Sequence, residues 1–423
     1  MTSSAHVVTQ PAKSRFLAVA DAIGRRLVRD AVWSGETCNW MIWTKEPVNG
    51  ALQRVYRAAA GDVYLGTAGI GLFLAHLAAA TKDPHERATA LGAARQLAAS
   101  LRRFNSGDVG FYTGAPGTAL ALAHIGAFLG DEESLQAALR FCDEFVARPA
   151  EPAGYDLLSG QAGAILALTF LGQRYRRPHL IDHAVSLADY LMEASQASSL
   201  GRSWPSTSPQ SANLLGLSHG TTGIMLALLE LNLCRPVPRY SIAAQEALFY
   251  ERSLFDHSQG NWPDFRLMPN APVTAPGFPV AWCHGSTGMG MARLRLLELI
   301  PNDPLLLPEI NACMQNAVRI SNMPILPDAT DFSPCHGLAG QAEFLLMAGL
   351  TFQRSDALAA AERIGDVGIE VFGRPDLPWP CGMPDCGETF SFMTGLAGIG
   401  YFFLRLFDPV YNPSVLLPSG SLA

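Results

Sequence analysis

Charge is scarce in this chain: 30 Lys+Arg and 37 Asp+Glu make up 16% of 423 residues, where a soluble domain usually carries about 25%. Set against 49% hydrophobic residues, that scarcity excludes a disordered or linker-rich protein, which lacks the apolar material for a core. No block of like charges occurs and the net charge is −7. A partner held through nucleic-acid phosphates is therefore excluded. The opening MTSSAHVVTQPAKSRF has no apolar stretch behind a basic one, so it carries no secretory signal. Two long uncharged stretches, 109–130 and 203–229, lack the composition of membrane spans. The first holds Pro116, His124 and five Gly, and the second is rich in Ser, Thr, Pro, Asn and Gln. The expectation is a cytoplasmic protein with no transmembrane segment. In that setting eight unevenly spaced Cys point to metal or thiol chemistry rather than a disulfide framework.

What the chain does have is a repeat. A G-x-x-G step followed by an apolar run occurs at Gly66, Gly114, Gly160, Gly220, Gly285, Gly337 and Gly395, with spacings from 46 (Gly114 to Gly160) to 65 residues (Gly220 to Gly285). More polar segments with apolar residues at helical spacing fall at 15–33, 85–104, 132–147, 178–195, 241–255, 304–322 and 355–372. Helices apolar all round are buried on every side, and amphipathic ones cover them. Seven of each predict an all-α closed α/α toroid, with seven inner and seven outer helices in one domain over 1–423. An open solenoid would need polar caps at its ends, whereas the first and last copies, GTAGIG and GLAGIG, are nearly identical and equally apolar. The segment 1–14 reads as a flexible N-terminus and 409–423 as a C-terminal tail. Inner helices that all start at one end would aim their N–H groups and positive dipole ends at the barrel mouth, which suits anions and thiolates.

The repeats differ in the two residues before each first glycine: Tyr64-Leu65, Tyr112-Thr113, Leu158-Ser159, Ser218-His219, Cys283-His284, Cys335-His336 and Met393-Thr394. If the repeats superpose, these side chains converge. Two thiolates with an imidazole and one open position form a catalytic zinc pattern, and the soft ligands favour zinc over magnesium or calcium. One CHG tripeptide would more often be a buried Cys beside a capping His, but two at equivalent positions favour a metal site. Spacing leaves the third ligand open between His284 and His336. His219, without a neighbouring Cys, is an acid/base candidate, and Asp156 in GYDLLSGQAG is either a helix-entry cap or its partner. The remaining His residues read as structural or exposed. FDHSQGNWPDFR (255–266) reads as a rim loop, and Cys381 and Cys386 in PWPCGMPDC lack a second ligand pair.

These residues resemble the lanthionine synthetase C-like (LanC-like) cyclase family. The motifs that carry the resemblance are YDLLSGQAG, GLSHGTTGI, NWPDFR, AWCHGSTGMG, CHGLAG and TGLAGIG, spread from about 62 to 405. NWPDFR with AWCHG is most similar to the cyclase half of class II lanthipeptide synthetases. With no dehydratase half in 423 residues, a free-standing cyclase is the expectation. The resemblance implies an α/α toroid, zinc (Zn2+) on Cys283, Cys335 and His336, and active-site positions at His219 and Asp156. It implies intramolecular addition of a peptide cysteine to dehydroalanine or dehydrobutyrine, giving thioether rings, with His219 or His284 handling the proton. The partners would be a dehydrated precursor peptide, a separate dehydratase and an exporter. Two departures stand out: FPVAW, without the Arg often found there, precedes Cys283, and His284 follows it where stand-alone cyclases often carry Tyr. Competing readings are a LanC-like enzyme adding glutathione to dehydroamino acids, a non-catalytic peptide-binding scaffold, and a toroid glycosidase, which would need paired carboxylates.

Overall fold

The computed structural model describes residues 13–420 except 50, 106, 149–152, 207–208, 268–274, 327–329 and 375–376. Helix α1 (Ser14–Arg29) is followed by two hairpins, β1 (Val32–Ser34) with β2 (Thr37–Asn39) and β3 (Met41–Val48) with β4 (Ala51–Ala58). Then come α2 (Thr67–Thr81), α3 (Pro84–Ser100), α4 (Ala115–Leu129), α5 (Glu132–Val146), α6 (Gln161–Arg174) and α7 (Pro178–Ala194). A third hairpin, β5 (Gln196–Ser198) with β6 (Gly201–Ser203), precedes α8 (Thr221–Cys234), α9 (Pro238–Ser253), α10 (Ser286–Leu299), α11 (Leu306–Ser321), α12 (Leu338–Phe352), α13 (Ser355–Phe372) and α14 (Leu396–Phe407).

The even-numbered helices form the inner layer. Each is capped at its N-terminus by the first glycine of a G-x-x-G step. In α6 every residue from Gln161 to Gly172 is buried, as an apolar, small-residue helix requires when it has neighbours on all sides. Outer helices bury one stripe: α1 buries Phe16, Ala20, Ile23, Gly24 and Leu27, spaced three and four residues apart. Each inner helix packs against the next around the circle, α14 against α2 included. The toroid is therefore closed. Its outer partners follow the inner helix in sequence (α3 on α2, α13 on α12), except that α1 packs on α14 and joins the two ends of the chain.

Closure is also written in the backbone at the mouth. Tyr64 N–H donates to Tyr112 O, Tyr112 to Leu158, Leu158 to Ser218, Ser218 to Cys283, Cys283 to Cys335, Cys335 to Met393, and Met393 back to Tyr64, at 2.9–3.4 Å. One residue from each repeat, two before the capping glycine, thus satisfies its neighbour's peptide group in a seven-membered ring. The second glycine lets the helix start lie against this ring: a Cβ on Gly117 would stand 1.7 Å from Phe111 O. Gly285 differs from the other capping glycines in its φ of 84°, a conformation that disfavours any side chain.

The three hairpins were not part of the sequence expectation. Their strands are short, and β3–β4 shows weak alternation, but Asn49, at φ 52°, precedes glycine in the sequence, the turn chemistry of a tight hairpin. Of the expected flexible stretch 1–14, residues 1–12 lie outside the described residues and Ser14 already opens α1. No helix among the described residues is long and apolar enough to cross a membrane.

Candidate metal and catalytic site

The hydrogen-bonded ring gives Cys283 and Cys335 equivalent backbone positions in adjacent repeats. Their Sγ atoms and a ring nitrogen of His336 all lie within 4.8 Å of one another. His336 Nε2 donates to Gly382 O at 2.7 Å, and Asp331 Oδ2 lies 3.2 Å away as an ion-pair contact. That leaves Nδ1 for the cluster, with the far nitrogen fixed in the way ligating histidines usually are. Tyr64, from the same ring, donates its hydroxyl to Cys335 Sγ at 2.8 Å.

The protonation of this cluster fits a cation. Hydrogen bonding from the Cys335 thiol, which outweighs burial, holds Cys283 well below the usual thiol range. Burial and the neighbouring Cys283 charge push Cys335 well above it. The two thiols thus keep one proton between them. Burial works against a charged His336, yet the Cys283 hydrogen bond and Asp331 raise it to about 9. A cation is what stabilises two adjacent thiolates at once, and a Cys₂His set with one open position suits zinc. His336 retains 39% of its side-chain surface, so the cluster is reachable from the mouth.

Beside the cluster stand the other expected residues. Asp156 is buried in the loop entering α6, where its Oδ1 accepts from Ser159 N (2.7 Å) and Gly160 N (3.0 Å) as a cap. Its Oδ2 takes His219 Nδ1–H at 2.8 Å. Burial raises this carboxyl, but the hydrogen bonds from His219 and Ser159 outweigh it and hold Asp156 below the ordinary range. A carboxylate only accepts, so the proton of neutral His219 sits on Nδ1 and Nε2 is the free base. His284 is buried and stacks on His219 with centroids 5.8 Å apart. Its Nδ1 donates to Leu215 O at 3.3 Å, and among the described residues its Nε2 has no hydrogen-bond partner. Burial lowers the pKa of His284. The grouping of ligand atoms includes His336 and leaves out His284.

Three residues escaped the sequence reading. Tyr64 stands in the compared column, where a residue that is neither Cys nor His carries no metal signal. Asp331 is separated from His336 by a turn in DFSPCHG. Arg266, closing the NWPDFR rim loop, is pinned by Asp264 through Nε at 3.0 Å and a terminal nitrogen at 2.7 Å. It is near enough to Cys283, Cys335 and His284 for their charges to act on one another. A loop thus brings an arginine within electrostatic range of the cluster, in a chain that lacks one just before Cys283.

Comparison with known proteins follows the same lines. The profile of the family described as lanthionine synthetase C-like protein matches residues 58–417. A lacticin 481/lactococcin biosynthesis protein, LcnDR2, of Lactococcus lactis subsp. lactis is 20% identical over 407 residues, covering 91% of this chain. The chain spans 40% of that relative's length. Among solved structures, a nisin cyclase superposes with a TM-score of 0.61 at 17% identity, over 97% of this chain and 98% of the other. An unsaturated glucuronyl hydrolase from Bacillus sp. GL1 gives 0.52 at 15% identity over 94% and 98%. Likeness at that level concerns the fold alone.

Proposed function

The chain belongs to the lanthionine synthetase C-like family, and from that premise we propose that it is a zinc-dependent lanthipeptide cyclase acting on a dehydrated precursor peptide. The single observation that carries this reading is the convergence of Cys283, Cys335 and His336 within 4.8 Å, beside a His219–Asp156 pair at 2.8 Å.

Zinc held by Cys283, Cys335 and His336 would supply the positive charge that deprotonates a peptide cysteine at the open position. The rest of the chemistry falls to the chain's own groups. As sulfur bonds to the β-carbon of dehydroalanine or dehydrobutyrine, the carbon–carbon double bond gives way and negative charge grows on the adjacent carbonyl. The α-carbon must then take a proton, equal in number to the one lost from the thiol. His219, with Nδ1–H fixed on Asp156, can accept that proton at Nε2 and pass it on. The charge of Asp156 stabilises the imidazolium in between. His284 offers a second ring at the same place, already fixed by Leu215. Arg266 supplies fixed positive charge at the mouth for the developing oxyanion.

The test is a purified protein prepared without chelator. About one equivalent of zinc is expected, together with mass-neutral loss of a free thiol from a dehydrated peptide with an internal cysteine. Less than half an equivalent of zinc would count against the metal reading. Preferential addition of external glutathione would select the intermolecular reaction instead, and peptide binding without thiol loss would select a scaffold.

A further inference from the structure

After α14 leaves the mouth and runs to the far end of the barrel, the chain reverses. Tyr411 is exposed, Asn412 is buried, the run 415–418 is buried, and Gly420 is exposed again. Side chains of α14 and of the mouth loops hold this segment by its main-chain carbonyls, in ascending order. Arg405 takes Pro409 O and Asn412 O (2.6 and 2.5 Å), and Tyr401 donates to Pro413 O at 2.7 Å. Tyr112 then donates to Val415 O at 2.8 Å, and Trp282 Nε1 to Leu416 O at 2.7 Å. The first two donors lie along α14, while the last two belong to the mouth loops. The segment therefore climbs the barrel axis antiparallel to α14. At its lower end Asn412 Oδ1 meets His76 Nδ1 at 3.0 Å, and His76 Nε2 meets His124 Nε2 at 2.9 Å. The space left between the segment and Pro334, Ala339, Phe392 and Gly398 is about 20 Å³, room for one water at most.

The upper donors are next to the metal cluster. Tyr112 is a member of the backbone ring that contains Cys283 and Cys335. Trp282 immediately precedes Cys283, is fully buried, and packs edge-on to Tyr112 at 4.9 Å. The residue just before Cys283 is thus a tryptophan whose indole N–H is satisfied by Leu416 O.

We propose that the segment Asn412–Pro418 is a built-in plug along the barrel axis that forms the floor beneath the Cys283–Cys335–His336 cluster and sets the position of Cys283 through Trp282 and Tyr112. It closes the barrel from below, so a peptide substrate enters and its cyclised product leaves by the mouth alone. This positioning role rests on the metal reading above.

The experiment uses full-length chains with Val415→Asp and Leu416→Asp together, which place two charges in the filled axis and expel the segment. Zinc affinity is measured on metal-free protein by competition with a chromophoric chelator, and the ligand-field spectrum is recorded with cobalt in place of zinc. With far-UV circular dichroism unchanged, zinc binding weaker by tenfold or more and a shifted cobalt spectrum are expected. Tyr112→Phe, which keeps the ring and deletes only the hydroxyl donor, and Trp282→Phe, which deletes the indole N–H together with part of the ring volume, should each weaken zinc binding severalfold in the parent, and Tyr112→Phe should add nothing in the expelled background. Unchanged affinity and spectrum in the folded double-Asp chain overturns the proposal. If that chain does not fold, parental zinc affinity in both Phe variants overturns it. A parent that binds no zinc overturns the metal reading instead.

Discussion

His219 Nδ1 stands 2.8 Å from Asp156 Oδ2, joining two loops 63 residues apart in sequence. Asp156 therefore serves two structures at once: one oxygen caps the entry to α6, and the other fixes the tautomer of a histidine in the next repeat. A carboxylate is needed because both partners are N–H donors.

Asp156→Asn supplies one acceptor oxygen where two are used, and it turns an N–H donor toward His219 or toward the loop. Zinc should stay bound while cyclisation slows by about 10²-fold or more, the loss expected when an acid/base group is misoriented. Zinc analysis alongside a single-turnover ring-formation assay checks this. Parental turnover would make Asp156 a cap only.

His219→Asn should likewise keep its metal, since His219 lies outside the ligand grouping, and should lose roughly 10²–10⁴ in rate. His284→Asn is the paired comparison. A crippled His284 variant with a near-parental His219 variant reverses the roles, and near-parental rates in both point to water as the proton source.

Cys283→Ala, Cys335→Ala and His336→Ala should each lose zinc and cyclisation together. Each removes one of the three proposed ligands, and the Cys variants also leave the remaining thiol without its proton-sharing partner. Full zinc retention in any one of them, measured by metal analysis, reassigns that residue.

Burial, with the His124 charge adding to it, lowers His76 from 6.5 to about 3. The unfolded chain therefore binds a proton that the folded chain refuses between those two values. The stability this neutral histidine contributes is complete above pH 6.5 and is lost as pH falls from there toward 3. Denaturation followed from pH 7.5 to 4 should show falling stability, with a shallower slope in His76→Gln. Equal slopes in the two proteins would contradict this account.

The toroid was legible because burial on all sides leaves a compositional mark. α4 and α6 are apolar around their whole circumference, whereas α1 and α11 carry a stripe, and the period of G-x-x-G counts the helix pairs. The small hairpins left almost no mark, since three-residue strands such as β1 and β5 have too few alternations to register.

At the site, the sequence by itself determined which residue types occur at equivalent repeat positions, and that sufficed to single out Cys283, Cys335, His219 and His284. It could not choose between His284 and His336, because both follow a cysteine in the same tripeptide. Tertiary structure gives the two different surroundings: His284 turns to Leu215 O and stacks on His219, while His336 is fixed on Gly382 O and groups with the thiols. The same holds for Tyr64, Asp331, Arg266 and the segment that fills the barrel axis. Their places are set by side-chain direction and by contacts between loops distant in sequence, to which local periodicity is blind. The fold follows from how each stretch hides its apolar surface, a property of the stretch alone. The site follows from where seven loops meet, a property of the closed ring.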